Sequence, residues 1–221
     1  MARGISTAAV VALVIAHVTA FDTVLDPEEI QQAISIGQSR LAQDHDRFHR
    51  AYRVIVGKAP IDYVEIVTPF RRIVVAAEAG ATGGDRRFGQ RQALELLAAS
   101  GNQIDIYVEL SFHPLNTFVG VPEYQVTLVR AGDIRAGEPV SLDRIPRYGP
   151  RVSGMPLPVP TGPGLPGGSQ PMLGGTIIAH VDGGGLEAMG VYELVIRDVV
   201  GNPPRPASEL ARARVDFASM R

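Results

Sequence analysis

The chain has 221 residues, of which 45% are hydrophobic and 20% are charged, and its formal net charge is −2. A near-neutral chain has no long-range field that would attract nucleic acid or an anionic membrane, so we expect neither as a partner. Cysteine is absent. Its absence excludes disulfides, thiol catalysis and a lipid on an N-terminal cysteine.

The first 20 residues have the three-part layout of a secretory signal. Arg3 is basic, residues 5–16 are apolar or small, and residues 18–20 end the run at a cleavage position. A membrane-spanning helix needs roughly 20 predominantly apolar residues, and this run is shorter and is interrupted by His17. An uncleaved anchor and a first buried helix are the alternatives. We expect residues 1–20 to be a cleaved signal peptide.

Export fixes the expected location of the remaining chain. Residues 21–221 would be periplasmic or extracellular, with no membrane association after cleavage. Without disulfides, the stability of this part must come from its hydrophobic core. Its length suffices for one substantial core, and we expect a single α+β domain.

Three segments carry helix signals. Asp26-Pro27-Glu28-Glu29 predicts a helix start with a capping box, and the apolar stripe from Ile30 to Leu41 could run on towards Tyr52. Thr68-Pro69 opens a second helix. "FGQRQALELLAASG" predicts a third, ended by Gly101. The second and third helices would form a helical hairpin.

Strand signals fill most of the rest. "YRVIVG" and "DYVEIVT" predict a hairpin, and from Gln103 onward apolar and polar residues alternate strictly. Further strand candidates are "YQVTLVR", "PVSLDRI", "GTIIAHVD", "VYELVIRDV" and "ELARARVDF". Short strands separated by turn signals predict an antiparallel β-sandwich, with the N-terminal helix and the helical hairpin packed on it. The predicted fold class is therefore α+β.

Residues 149–175 form a tract rich in proline and glycine, "GPRVSGMPLPVPTGPGLPGGSQPMLGG". Proline lacks the backbone donor and glycine loses the most conformational entropy on folding, so this composition argues against a helix or a central strand. We expect an exposed loop between strands. A binding lid is the alternative.

Two resemblances rest on quoted motifs. With "IVTPFRRIVVAAEAG", "HPLNTFVGVPEYQVTL" and the terminal "VDF", the chain after the signal resembles an uncharacterised group of exported bacterial hypothetical proteins. That resemblance implies secretion and one continuous architecture, and it transfers no functional residue. "GVYELVIRDVVGN" is similar to the last hairpin of bacterial immunoglobulin-like domains, which implies an immunoglobulin-like tendency in the C-terminal half.

The segment "QDHDRFHR" contains the first candidate site. His45 and His49 are four residues apart, so on a helix they share a face and could hold a metal ion, with Asp44 or Asp46 nearby. The zinc-peptidase pattern needs glutamate after the first histidine, where this chain has Asp46, and no clear third ligand follows. We therefore expect solvated histidines at a polar helix end or in the loop after it, and the metal site is the alternative.

The strand "DIYVELSFH" contains the second candidate site. Alternation places Asp105, Glu109 and His113 on one polar strand face, together with Tyr107 and Ser111. Two carboxylates and an imidazole could serve acid–base chemistry or bind a cation. We expect the solvated face of an amphipathic strand, and the acid–base or cation site is the alternative.

No complete catalytic constellation, cofactor loop or thiol is present, so we expect no cofactor. The favoured function is a non-catalytic binding or structural domain that contacts an unknown protein or envelope component. An envelope chaperone or assembly factor is a variant of that role. The alternative is a secreted hydrolase or metal-binding protein whose groups, such as His49, Glu109 and His113, meet only in the fold. Convergence of His45 or His49 with His113, Glu109 or His180 would favour that alternative.

Overall fold

The computed structural model describes residues 24–84, 88–113, 116, 118–130, 136–149, 171–187, 190–200 and 205–220. The predicted signal peptide lies outside these residues, as does the part of the proline- and glycine-rich tract from 150 to 170. Within the described part, helices and two antiparallel sheets form an α+β architecture, as predicted.

Four α-helices lie within the described residues: α1 (Pro27–Gly37), α2 (Ala42–Ala51), α3 (Pro69–Thr82) and α4 (Gln90–Ser100). The capping box of α1 is confirmed, since the Asp26 side chain accepts from the backbone N–H of Glu29 and the Glu29 side chain accepts from the backbone N–H of Asp26. Gly101, at φ +57°, follows the end of α4. None of the four combines the length and the apolar content of a membrane-spanning helix.

The expected continuation of the first helix towards Tyr52 is wrong. Helix α1 ends at Gly37, the chain turns, and α2 begins at Ala42. Gly37 lies so close to α3 that a Cβ atom there would overlap the carbonyl oxygen of Val74 and lie 2.7 Å from the Cβ atom of Ala77. Close packing of α1 against α3 thus depends on a residue without a side chain.

The strands are, in chain order, β1 (Arg53–Lys58), β2 (Ile61–Val67), β3 (Gln103–Ser111), β4 (Gln125–Arg130), β5 (Ala136–Gly137), β6 (Ser141–Tyr148), β7 (Met172–Asp182), β8 (Val191–Val200) and β9 (Arg205–Asp216). The first sheet has the order β1-β2-β3-β7-β6 and the second has the order β5-β4-β8-β9. All the pairings are antiparallel. The C-terminal strands are therefore divided between both sheets.

The two sheets share one hydrophobic core. From β3 the alternate residues Ile104, Ile106, Val108 and Leu110 are fully buried, and they belong to the same cluster as Val126, Leu128, Leu194 and Ile196 of the second sheet. Burial of each such side chain contributes about 1.5–3 kcal/mol. This is the sandwich core that the period-two alternation predicts.

Strand β7 begins three residues earlier than the sequence predicted. It begins at Met172, inside the tract predicted to be a loop through residue 175, and it is central, between β3 and β6. A Cβ atom at Gly175 would lie 2.8 Å from the carbonyl oxygen of Ile145 on β6. Here glycine allows the neighbouring backbone to approach, a role that composition alone does not distinguish from loop formation.

The helices have a hydrophobic cluster of their own, formed by Ile30, Ala33, Ile34, Phe70, Ile73, Val74 and Ala93. Phe48 of α2 is half-buried and contacts both this cluster and the core between the sheets. The helical layer and the sandwich are thus joined through an aromatic side chain on α2.

Candidate functional site

Helix α2 presents two histidines to α3. His45 and His49 are one turn apart, so their side chains project from the same face. Between them in sequence, Phe48 packs its ring 5.0 Å from that of Tyr52 and 6.1 Å from that of Phe70, centroid to centroid. These contacts fix the rotation of a helix that has no fully buried residue.

The carboxylate of Glu78 on α3 contacts both histidines, one with each oxygen. Its Oε1 atom lies 2.7 Å from Nδ1 of His45, and its Oε2 atom lies 2.8 Å from Nε2 of His49. The three side chains offer one ligand atom each, and these atoms all lie within 4.8 Å of one another. Among the described residues no other group of three metal-ligating side chains meets this condition. We call this group the His–Glu triad.

The partners of His45 fix its protons. Its Nε2 atom lies 3.1 Å from the carbonyl oxygen of Ser39, which only accepts, so Nε2 carries a hydrogen. In a neutral ring Nδ1 would then be bare and would face the Glu78 carboxylate, lone pair to lone pair. Three states avoid this repulsion: an imidazolium that donates from both nitrogens, a protonated Glu78 carboxyl that donates to Nδ1, or a metal ion between Nδ1 and the carboxylate.

The electrostatics of the metal-free triad favour the first state. The hydrogen bond to Glu78 raises the pKa of His45 above its usual value, although burial acts in the opposite direction. Burial opposes ionisation of Glu78, but hydrogen bonds from both histidines outweigh it and hold the pKa of this carboxyl below its usual range. The metal-free triad is therefore a charged cluster. A divalent cation can bind to it by displacing the proton from Nδ1 of His45.

The outer hydrogen bonds of the two histidines differ. His45 donates to Ser39, which is the arrangement that usually orients a metal-bound imidazole. Nδ1 of His49 is buried and has no hydrogen-bond partner among the described residues. Loss of such an outer partner typically costs about 10–100-fold in metal affinity. The triad thus has the ligands of a metal site, with one of them less well supported.

A cleft of about 660 Å³ opens beside the triad. It is lined by Asp46, His49, Arg50, Arg53, Ile55, Glu65, Arg71, Val75 and Glu78. Two of the triad residues thus face a space that can admit a small molecule, and Asp46 and Arg50 from the same helix lie at its wall. Water or a small molecule would reach a bound ion through this cleft.

The polar strand face is buried at Asp105 and half-buried at Tyr107 and Glu109, whereas Ser111 and His113 are exposed. Asp105 is 7% exposed because Arg72 reaches it from α3, with Nη2 2.6 Å from Oδ2. Its other oxygen lies 2.7 Å from Nδ1 of His180 on β7, whose second nitrogen lies 3.3 Å from Asp143. Asp105 is thus an ion-pair partner inside the fold.

Glu109 and His113 do not join the His–Glu triad. Glu109 accepts from Thr176 at 2.7 Å and pairs with Arg147 at 3.4 Å. His113 lies beyond the end of β3, at an exposed position. His180 pairs with Asp105 instead of approaching α2. The combination of His49, Glu109 and His113 that the sequence suggested does not form a metal-ligating group.

Glu78 is the functional residue that sequence reasoning missed. It follows His49 by 29 positions and lies on another helix, so no spacing rule connects the two. One signal was present: in "IVVAAEAGAT" it is the single charged residue of an otherwise apolar and small-residue run.

No protein-family model, curated protein or solved structure matches the chain.

Proposed function

We propose that this protein binds a divalent transition-metal ion through His45, His49 and Glu78. The observation that carries the proposal is the approach of two imidazole nitrogens and a carboxylate oxygen to within 4.8 Å of one another. The pairing of His45 with Ser39 supports it, because it leaves Nδ1 as the lone-pair donor that an ion requires.

The donor set indicates which ions fit. Two imidazoles and one carboxylate suit zinc and its first-row neighbours better than calcium or magnesium, which prefer oxygen ligands. Three protein ligands are typical of catalytic zinc sites, which keep a further position open for water or substrate, whereas structural zinc sites use four. The cleft beside Glu78 and His49 provides access to such a position.

Calorimetry with zinc chloride tests the proposal. The chain is first stripped with a chelator and then titrated at pH 7.5, where we expect one ion per chain with micromolar affinity. Glu78→Gln and His49→Ala should abolish that binding. Glu95→Gln, an exposed change on α4, is the matched control and should leave it unchanged. Zinc binding that survives Glu78→Gln, or no binding by the original chain, would contradict the proposal.

A second function, metal-assisted hydrolysis, is favoured by the position of Asp46. This carboxylate lines the same cleft as the triad and can accept the proton of an attacking water. A bound ion would lower the pKa of that water and polarise a substrate carbonyl. The water oxygen would bond to the acyl carbon of an ester, the ester bond would break, and the proton held by Asp46 would pass to the leaving alcohol.

Asp46→Asn separates hydrolysis from simple metal storage. In the zinc-loaded chain we expect this variant to lower turnover of a p-nitrophenyl ester by about 100-fold or more while zinc affinity is retained. Glu95→Gln, an exposed change on α4 outside the lining of this cleft, is the control. Equal turnover in the two variants, or no zinc-dependent turnover, would limit the function to metal binding.

We also propose that the protein is exported and binds its metal ion in the bacterial envelope or outside the cell. The signal-like layout of residues 1–20 supports an exported metal-binding protein in the periplasm or outside the cell. Mass spectrometry of the secreted fraction checks this, with an N-terminus at Phe21 as the expected result. A secreted chain that retains Met1 would overturn the cleavage part of the proposal.

A further inference from the structure

A second cleft adjoins the first along α3. It has a volume of about 340 Å³ and lies where α3 and α4 cover β2 and β3. Its apolar lining comes from Val67, Val75, Ala76, Ala79 and Leu96, and its polar lining from Glu65, Arg71, Arg72 and Tyr107. Small-molecule sites typically have volumes of roughly 300–1,000 Å³ and combine apolar walls with a few polar groups, and this cleft matches both features. We call it the arginine cleft.

Two guanidinium groups of the arginine cleft have unused donors. Arg71 is 3% exposed; its Nη1 donates to the carbonyl of Ile66 and its Nη2 to Glu65. Its Nε is buried and unpaired within the described part of the chain. The same holds for Nη1 of Arg72, whose Nη2 donates to Asp105. A buried donor without an acceptor is unfavourable, so an added oxygen ligand here would be stabilising.

The charged residues that line the arginine cleft are two arginines and one carboxylate: Arg71, Arg72 and Glu65. Glu65 is shared between Arg71 and Arg53, and Arg53 lies outside this lining. Arg72 pairs with Asp105, whose other oxygen pairs with His180. A single negative charge in the cleft would match the excess cation of its lining.

We infer that the arginine cleft binds a small amphipathic monoanion, with a carboxylate at the arginines and a hydrocarbon chain along α3 and α4. A carboxylate has two acceptor oxygens, one for each of the unpaired donors of Arg71 and Arg72. Val75, Ala79 and Leu96 provide the surface for the hydrocarbon chain. The inference does not depend on the metal site, although Glu65, Arg71 and Val75 line both clefts.

Head group and chain make separable contributions to this site. Octanoate should bind more tightly than octanol, because the alcohol carries no charge for the arginines. Octanoate should also bind more tightly than acetate, because acetate buries almost no apolar surface, and each additional buried CH₂ should strengthen binding by about fourfold. A ligand recognised only by charge would show no dependence on chain length.

Calorimetric titration of the full chain with octanoate, octanol, octyl phosphate and acetate tests the inference in chelator, without metal. We expect saturable octanoate binding, with octanol at least about tenfold weaker. If octyl phosphate binds instead of octanoate, the head group is assigned wrongly and the carboxylate proposal fails. Absence of octanoate binding, or equal binding of octanol, overturns it as well.

Two variants locate the binding. Ala79→Trp fills the cleft from an exposed position of α3 and should lower octanoate affinity by about tenfold or more. Ala98→Trp, an exposed change on α4 outside the lining, is the matched control and should have no effect. Arg72→Gln should also weaken binding, with circular dichroism used to check that the variant folds. Octanoate binding that persists in Ala79→Trp would place it elsewhere and overturn the inference.

Discussion

Arg71 and Glu65 form a buried ion pair, with Nη2 of the arginine 2.7 Å from Oε2 of the glutamate. The pair joins the first turn of α3 to the outer face of β2, and it stands between the two clefts, since both residues line both. The side chain of Arg71 is only 4% exposed and has lost its hydration, which its contacts with this carboxylate and with the carbonyl of Ile66 replace.

Removal of that carboxylate should destabilise the fold strongly. Glu65→Ala leaves the buried guanidinium of Arg71 without its counter-charge, and we expect the free energy of unfolding to fall by about 3–5 kcal/mol. Urea denaturation measures the loss. The matched control is Glu95→Ala, which removes the exposed pair with Arg91 on α4 and should cost at most about 0.5 kcal/mol. Similar losses in the two variants would contradict the structural role of Arg71.

The metal-free His–Glu triad should stabilise the fold within a defined pH range. The raised pKa of His45 gives a contribution that is complete below pH 6.5, the usual histidine value, and is lost as pH rises through the folded value. The lowered pKa of Glu78 gives a contribution that is complete above pH 4.5 and is lost as pH falls through the folded value. Both contributions are therefore complete between pH 4.5 and 6.5.

The difference in unfolding free energy between the original chain and Glu78→Gln checks this pH range. In chelator we expect a difference of about 1 kcal/mol that is largest between pH 4.5 and 6.5 and smaller at pH 9. The pair of His180 with Asp105 is present in both chains, so it cancels in the difference. A difference that grows steadily towards pH 9 would contradict the assignment of the proton to His45.

Zinc should reverse that trend. Because the ion displaces the proton on His45, its affinity should rise with pH through the raised pKa of this histidine. The zinc-induced increase in melting temperature, measured at a fixed zinc concentration, should therefore be small at pH 5.5 and larger at pH 8. His49→Ala should show no zinc-induced increase at either pH, which serves as the control. An increase in the original chain that is independent of pH would show that zinc binds elsewhere.

Gly37 should not tolerate a side chain. Gly37→Ala places a methyl group against the backbone of Val74, and we expect a loss of about 1–3 kcal/mol in unfolding free energy. At Gly185 an added Cβ atom meets nothing within 4 Å, so Gly185→Ala is the control and should change stability little. Thermal denaturation of both variants measures the contrast. A neutral Gly37→Ala would mean that α1 does not pack on α3 this closely.

Local patterns predicted most of the secondary structure. The capping box at Asp26, the hairpin of β1 and β2, and the alternation through β3 depend on neighbouring residues, and the structure has all three. The separation of α1 from α2 was missed because it depends on the contact of Gly37 with another helix. Periodicity detects the apolar face of a helix but not the distance of its neighbour.

The candidate site was predicted only in part, and for the same reason. The spacing of His45 and His49 is local and was recognised, whereas the third ligand comes from a helix that the chain reaches only after a hairpin. The strand face illustrates the opposite case. Asp105 was expected in water, but an arginine from α3 covers it, and no pattern in the sequence connects Arg72 with that strand.

Helix α2 has no fully buried side chain, and its main attachments are Phe48 and the two histidines. Such a segment can detach from the rest of the molecule at a small energetic cost, without global unfolding. If an ion joins this helix to Glu78, occupancy of the site and attachment of the helix become one equilibrium. Amide hydrogens of residues 42–51 would then exchange slowly in the loaded chain and quickly after chelation, so their exchange rate would report whether the site is occupied.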